Sequence, residues 1–435
     1  MADDQLPTGA QAIASGRPVR GRPMTPRERV LASVEHREPD HLAVDLGSNP
    51  SSGISAVAHA NLVKHLSLAN QRTQVYDVVQ QLAQPSEELL DRLCIDVVDI
   101  GRTFDAADGD WKPVTLPSGV DVEIPAWFDP VVQANGAWEA FTEDGLRIAS
   151  MPLGAAFFDQ THFPYLDGYP DDLSNLPQVM PTVLWSGLVH SPWDHAADDG
   201  FWETLRAQTL ALRASTDRAL VVSVGCNLFE WGTFLRRIDN FLMDLVTDRA
   251  NVERLLDALL EIHFDTLDHV LESVGDIVDI LRFGDDLGMD GGPLMSPATY
   301  RAIFKPRHAA LNAYVHERSS LRTFLHSCGS LYDLLPDIIE TGVDILNPVQ
   351  ISAANMEPER LKREFGDAIT FWGGGADTRK VLPRGTPAEV KDHVRRNIEA
   401  FAPGGGFVFA TAHNMLPDVP PENIVAMFEA IDEYR

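Results

Sequence analysis

LRTFLHSCGSLYDLLPDIIETGVDILNPVQ (321–350) holds two short apolar runs, LRTFLHSCG (321–329) and VDILNPVQ (343–350), on either side of a stretch with helical spacing. Runs of that length fit strands buried on both faces, and apolar residues at i, i+3 and i+4 fit a helix laid over them. Strand, helix, strand in that order implies a right-handed crossover and parallel pairing. The unit recurs outward in both directions. Further runs are HLAVDLG (41–47), IDVVDIG (95–101), RALVVSVGC (218–226), DIVDILRFGDD (276–286), AITFWGGG (368–375) and GGFVFATAHN (405–414). Helical patterns such as MSPATYRAIFKPRHAALNAYVHE and TPAEVKDHVRRNIEAF separate the later ones. Eight such strands are the number that closes a (β/α)8 TIM barrel. A doubly wound open sheet is the alternative, but no glycine-rich dinucleotide turn follows the first run. We expect an α/β protein, one barrel domain over residues 25–435.

Order should begin at Thr25-Pro26-Arg27-Glu28, where Thr caps a helix and Pro fits its first turn. Residues 1–24 mix Gly, Pro and Ala without periodicity and carry Arg17, Arg20 and Arg22. They read as a disordered arm or one lying on a second copy, which makes a homodimer the expected assembly. About 101–200 breaks the rhythm. It is rich in Pro and aromatic residues, with alternating stretches around turns such as Asp144-Gly145. This β-rich insertion after the second strand reads either as a lid over the barrel mouth or as a small satellite core.

At 435 residues the chain suits a barrel with insertions, and its 44% hydrophobic content is enough for a large core. A formal charge of −29 excludes a nucleic-acid binder, which needs a basic face, and argues against anionic membranes. Neither an apolar stretch of about 18 residues nor a signal-peptide core is seen, so a cytoplasmic protein is expected. Three scattered cysteines make no disulfide framework.

Barrel active sites form at the C-terminal ends of the strands. Those ends carry Asp45, Asp99 with Arg102, Cys226 with Glu230, Asp285 with Asp286, His326 with Cys328, Asn347 with Gln350, Asp377, and His413 with Asn414. His326 and Cys328 offer the nitrogen and sulfur that zinc prefers, and Gly329 permits the turn that aims both inward. His413 ends the eighth strand and approaches from across the mouth. Two nitrogens and one sulfur with an open fourth position fit a catalytic zinc. Water, substrate, Cys226, Glu230 or Asp286 are candidates for that position. The alternative is a hydrogen-bonding His413 beside a small buried Cys328. Asp285 and Asp286 are candidates for acid–base work or loop hydrogen bonding.

TPRERVLASVEHREPDHLAVDLG, GDDLGMDGGPLMSPATYRAIFKPRHAAL and the final segment from GGADTRKVLPRG through ATAHNMLPDVPP to AIDEY resemble the uroporphyrinogen decarboxylase superfamily. The resemblance runs from residue 25 onward, apart from parts of 101–200, and implies the same barrel. In the decarboxylases an arginine-rich N-terminal segment grips substrate carboxylates; here that region reads DLGSNPSSGIS. The other branch holds zinc-dependent methyltransferases that exchange methyl groups with corrinoid proteins, and their H-x-C pair is matched by His326-Ser327-Cys328. Their third ligand is cysteine, where this chain has His413. The resemblance to this branch implies zinc on His326, Cys328 and His413, a cobalamin-bearing partner protein and a small methylated substrate. Asp286 or Glu230 would then serve as the catalytic acid, and Asp285, Gln350 and Asn414 would contact substrate. A metal-free decarboxylase of a carboxylated ring is the second expectation, and a non-catalytic tetrapyrrole-binding protein the third.

Overall fold

Strand alternation sorts the residues of eight parallel segments into an inner and an outer face, and this sorting places the site. The computed structural model describes residues 22–68 and 71–434; of the expected N-terminal arm, residues 1–21 lie outside them. Seven strands form one parallel sheet: β2 (Val97–Asp99), β3 (Ala219–Gly225), β4 (Ile280–Gly284), β5 (Arg322–His326), β6 (Ile345–Asn347), β7 (Thr370–Trp372) and β8 (Phe407–Val408), in that spatial order. The eighth, β1 (residues 43–45), closes the ring. The Asp45 amide donates to the Phe409 carbonyl and the Phe409 amide to that of Ala43, each at 2.8 Å. On the other side the Asp96 amide donates to the Val44 carbonyl at 2.8 Å. The eight strands fall within the eight runs read from the sequence.

Inside the ring, Ala43, Val97, Val221, Ile280, Phe324, Ile345, Trp372 and Val408 make a dry plug. The helix Pro26–Val34 seals the bottom with Val30 and Val34. Thr25 caps that helix and Glu28 completes a capping box, as its sequence dictates. The outward residues between these, such as Val44, Val98, Leu220, Leu281, Leu325, Leu346, Phe371 and Phe409, belong to the larger core under the surrounding helices. Period two therefore splits each strand between two cores, which is how a barrel buries both faces.

The insertion is β-rich, as expected. It contains a hairpin (Trp111–Thr115 with Asp121–Pro125) and an antiparallel meander from Val131 to Gln160. Val122, Ile124, Phe128, Trp138, Ile148 and Phe158 give it a satellite core. One element escaped the sequence reading. Ile54–Ser55, Val75–Asp77 and Leu82–Ala83 form a small antiparallel sheet between β1 and β2. No described helix is long and apolar enough to cross a membrane.

Candidate functional site

One pleat above the dry plug, the inward positions turn polar: Asp45, Asp99, Ser223, Arg282, His326 and Asn347 follow the apolar residues two places earlier on their strands. Register brings two of them side by side, because His326 pairs with Asn347 across β5 and β6. The Asn347 amide nitrogen donates to the Trp372 carbonyl at 3.0 Å, which fixes the amide and turns its Oδ1 to His326 Nδ1 at 2.9 Å. An Oδ1 acceptor demands a proton on Nδ1. The lone pair of the neutral ring is then on Nε2, facing the mouth.

Two residues on, Cys328 shares that face, and its Sγ is 3.5 Å from His326 Nε2. The chain turns at Gly329 with φ +90°, and a Cβ there would lie 2.3 Å from the Gly288 carbonyl carbon. Only glycine fits that approach. The turn is held by the Cys328 amide donating to Asp286 Oδ1 at 2.8 Å and the Gly329 amide donating to Gln350 Oε1 at 2.6 Å. His413 comes from beyond β8, its ring edge-on to that of His326 with centroids 5.9 Å apart. One ligand atom from each of His326, Cys328 and His413 lies within 4.8 Å of the others. The Asn414 amide donates to His413 Nδ1 at 2.8 Å, so the neutral His413 ring carries its proton on Nε2.

The donor set fits a borderline-soft divalent metal. Burial and the Arg282 charge pull the His326 ring down to about 3, against its bond to Asn347. Burial, then His326, pulls His413 down to about 4. Both rings are neutral at pH 7; the His326 lone pair is free on Nε2, whereas His413 offers its Nδ1 lone pair to a metal only by releasing the Asn414 amide. Burial, with Asp286 and Glu230 nearby, holds the Cys328 thiol well above its usual range, so the metal-free site keeps a thiol.

The acidic residues divide by the same alternation. Asp286 is in phase with Arg282 and Gly284 and faces the mouth, with Oδ1 3.5 Å from His326 Nε2. Part of its side chain meets solvent, yet desolvation by the surrounding wall raises its carboxyl. Glu230 opens the helix Phe229–Arg236 and takes a hydrogen bond from the Asn227 amide. Burial, then Asp286 and Asp285, pushes the Glu230 carboxyl well above the usual range. Its protonated form is thereby favoured over that of an ordinary glutamate.

Three sequence candidates have other partners. Asp285 is out of phase, fully buried beneath the mouth. Its oxygens accept from the Phe229 and Glu230 amides at 3.0 and 2.8 Å and face His308 Nε2 at 2.9 Å. Fully buried and engaged by these three partners, it has no oxygen open to substrate. The Asn414 side chain is likewise spent, bonding the Gly53 amide, the Pro50 carbonyl and Gln80. Cys226 faces the layer between strands and helices beside His308, Leu311 and Leu325, away from His326, which removes it as a fourth ligand.

Arg282 was missed as a site residue. It projects into the mouth, bonds Ser51 Oγ at 2.9 Å through one nitrogen, and leaves its buried Nε without a partner. The signal was an arginine inside the apolar run DILRFG. Tyr76, from the unforeseen small sheet, lines a cleft of about 390 Å³ with Asp99, Arg102 and Trp111, and nothing in its own segment marks it.

A parallel barrel whose strand ends gather imidazoles, a thiol, carboxyls raised by burial and a buried guanidinium presents a candidate active site. Residues 222–434 match the family model for uroporphyrinogen decarboxylase. That match covers just under half of the chain. Uroporphyrinogen decarboxylase from Pseudoalteromonas translucida is 33% identical over 150 residues, which is 33% of this chain and 39% of that protein. Methylcobamide:CoM methyltransferase from Methanosarcina barkeri is 28% identical over 159 residues, 36% of this chain and 42% of that protein. These matches span under half the length of the relatives. A methyltransferase from Methanosarcina mazei has the same fold, with a TM-score of 0.57 and 17% identity over 94% of this chain and 99% of that one.

Proposed function

We propose that this protein is a zinc-dependent methyltransferase that moves a methyl group between a small methylated compound and a corrinoid protein or thiol. The observation that carries the proposal is the convergence of His326, Cys328 and His413 with the His326 Nε2 lone pair turned to the mouth. Zinc held by these three would supply a Lewis acid that polarises the heteroatom exchanging the methyl group. The remaining work belongs to the chain. Asn347 fixes the His326 ring through a carbonyl that cannot move. Asp286 holds the Cys328 turn through the backbone amide. Glu230, whose carboxyl burial raises, is the candidate acid for the departing heteroatom, and Asp286 is the neighbouring acid–base group. Gln350 positions the turn and presents its free amide hydrogens to substrate. Asp285 positions Glu230 and His308 rather than touching substrate. Arg282 offers its unpaired nitrogen to an anionic substrate group. The likeness to the Methanosarcina barkeri enzyme supports the corrinoid partner.

Metal analysis of the purified protein should give stoichiometric zinc, and His326→Ala or Cys328→Ala should each remove most of it. Methyl transfer followed through the corrinoid's visible spectrum should fall with the zinc. An active protein without stoichiometric zinc overturns the proposal. One arrangement favours a second reading, a metal-free decarboxylase: Arg282 faces the two raised carboxyls, Glu230 and Asp286, which suits carboxylate binding and proton delivery. Carbon dioxide release that survives chelation and Cys328→Ala would establish it.

A further inference from the structure

Where the insertion rejoins the barrel, a second constellation is built from the segment after β2 and from the turn Trp193–His195. Asp105 and Asp194 each have one oxygen held by protein donors and the other turned inward. Asp105 Oδ2 accepts from the Ser191 hydroxyl. Asp194 Oδ2 accepts from Trp127 Nε1 at 3.0 Å and is 3.1 Å from Ser191 Oγ. The inward oxygens face the same atom, His195 Nε2, with Asp105 Oδ1 at 3.1 Å and Asp194 Oδ1 at 3.8 Å. The far nitrogen, His195 Nδ1, is 3.1 Å from Asp198 Oδ2.

Asp198 on Nδ1 is the outer carboxylate that orients metal-bound histidines. With the proton on Nδ1, the Nε2 lone pair of a neutral ring points at two carboxylate oxygens, and three sources of negative potential share one small space. That space calls for a cation. The Asp194 side chain is only 7% exposed, and its Oδ1 is buried without a hydrogen-bond partner. A buried, unpartnered carboxylate oxygen costs free energy unless something positive meets it. The three ligand atoms lie within 4.8 Å of one another, and Asp105 and Ser191 also wall the cleft lined by Tyr76, Asp99 and Arg102.

We propose that Asp105, Asp194 and His195 form a second metal site, distinct from the barrel-mouth trio, which takes a divalent cation such as Mn2+ or Zn2+ through two carboxylate oxygens and one imidazole nitrogen. Two carboxylates neutralise the charge of such an ion, and oxygen-rich ligation with one imidazole suits Mn2+ as well as Zn2+. The ion ties residue 105 to residues 194–195. It thereby pins the insertion's return to the cleft wall, with its open positions toward the cleft.

The test is equilibrium dialysis with Mn2+, read by electron paramagnetic resonance, on full-length His326→Ala/Cys328→Ser protein. Because two of the three barrel-mouth donors are gone, the result does not depend on the function proposed above. About one equivalent of Mn2+ should remain bound. Adding Asp194→Asn should weaken it at least tenfold, and adding Asp198→Asn should weaken it about 10–100-fold while sparing the ligands. A protein that binds no Mn2+, or binds it equally with Asp194→Asn, overturns the proposal, since His195 is then an imidazolium among aspartates. If the double variant does not fold, the same dialysis on the wild-type protein and on Asp194→Asn alone decides. The single substitution should remove one equivalent, and an unchanged stoichiometry refutes the site.

Discussion

Asp285 and Asp286 are neighbours in sequence with opposite surroundings. The first anchors the helix Phe229–Arg236 by its leading amides and pairs with buried His308; the second opens to the mouth. Asp285→Asn keeps one acceptor oxygen but loses the charge at a helix N-terminus and beside His308. We expect it to cost about 2–4 kcal/mol of stability. Asp286→Asn should cost under about 1 kcal/mol while lowering activity. Thermal unfolding of the two variants checks this, and equal losses would contradict it. Strand parity was available in the sequence, since Arg282, Gly284 and Asp286 are spaced by two. The gathering of His326, Cys328 and His413 was legible because each lies at or just past the C-terminal end of a strand. The companions of Asn414 and Asp285 were not, because they come from loops and helices far along the chain, such as Gly53 and His308.

At the level of elements, the helix that carries Glu230 depends on one missing side chain. A Cβ on Gly232 would lie 2.1 Å from the Phe241 ring, which packs against it fully buried. Gly232→Ala should therefore destabilise the protein by about 1–3 kcal/mol through overpacking. Adding Phe241→Leu should recover part of the loss, a pairing that urea denaturation can measure. The long periodic elements were legible for a physical reason, since each strand buries two faces and reads as an unbroken apolar run. The small sheet of Ile54–Ser55, Val75–Asp77 and Leu82–Ala83 has strands of two or three residues. A period of two cannot register in so few positions, so the sheet and its Tyr76 stayed hidden.

For the molecule as a whole, the polar layer over the plug makes stability depend on pH. Burial raises the Asp99 carboxyl to about 6 from an ordinary 3.8, so the native state binds its proton more tightly than the unfolded chain does. The resulting stability is present below about pH 4 and is lost as pH rises through 6. Asp99→Asn keeps an acceptor for the Gly101 amide and removes the titration. The variant should be more stable than wild type by about 1–3 kcal/mol at pH 7.5, with the difference shrinking toward pH 4. Denaturant midpoints at several pH values test this, and a constant difference would refute it.

The seam between β1 and β8 joins residues near 44 to residues near 409, so the ring closes on its first and last strands. A ribosome has to release the chain past residue 409 before the circle can be completed. Until then the nascent sheet has two open edges, the hazard that invites strand-to-strand aggregation. His413 emerges four residues after Phe409, so a chain stopped short of β8 lacks both its last wall and its third donor. Assembly of the pocket and completion of the ring are thus a single event that waits for the last strand.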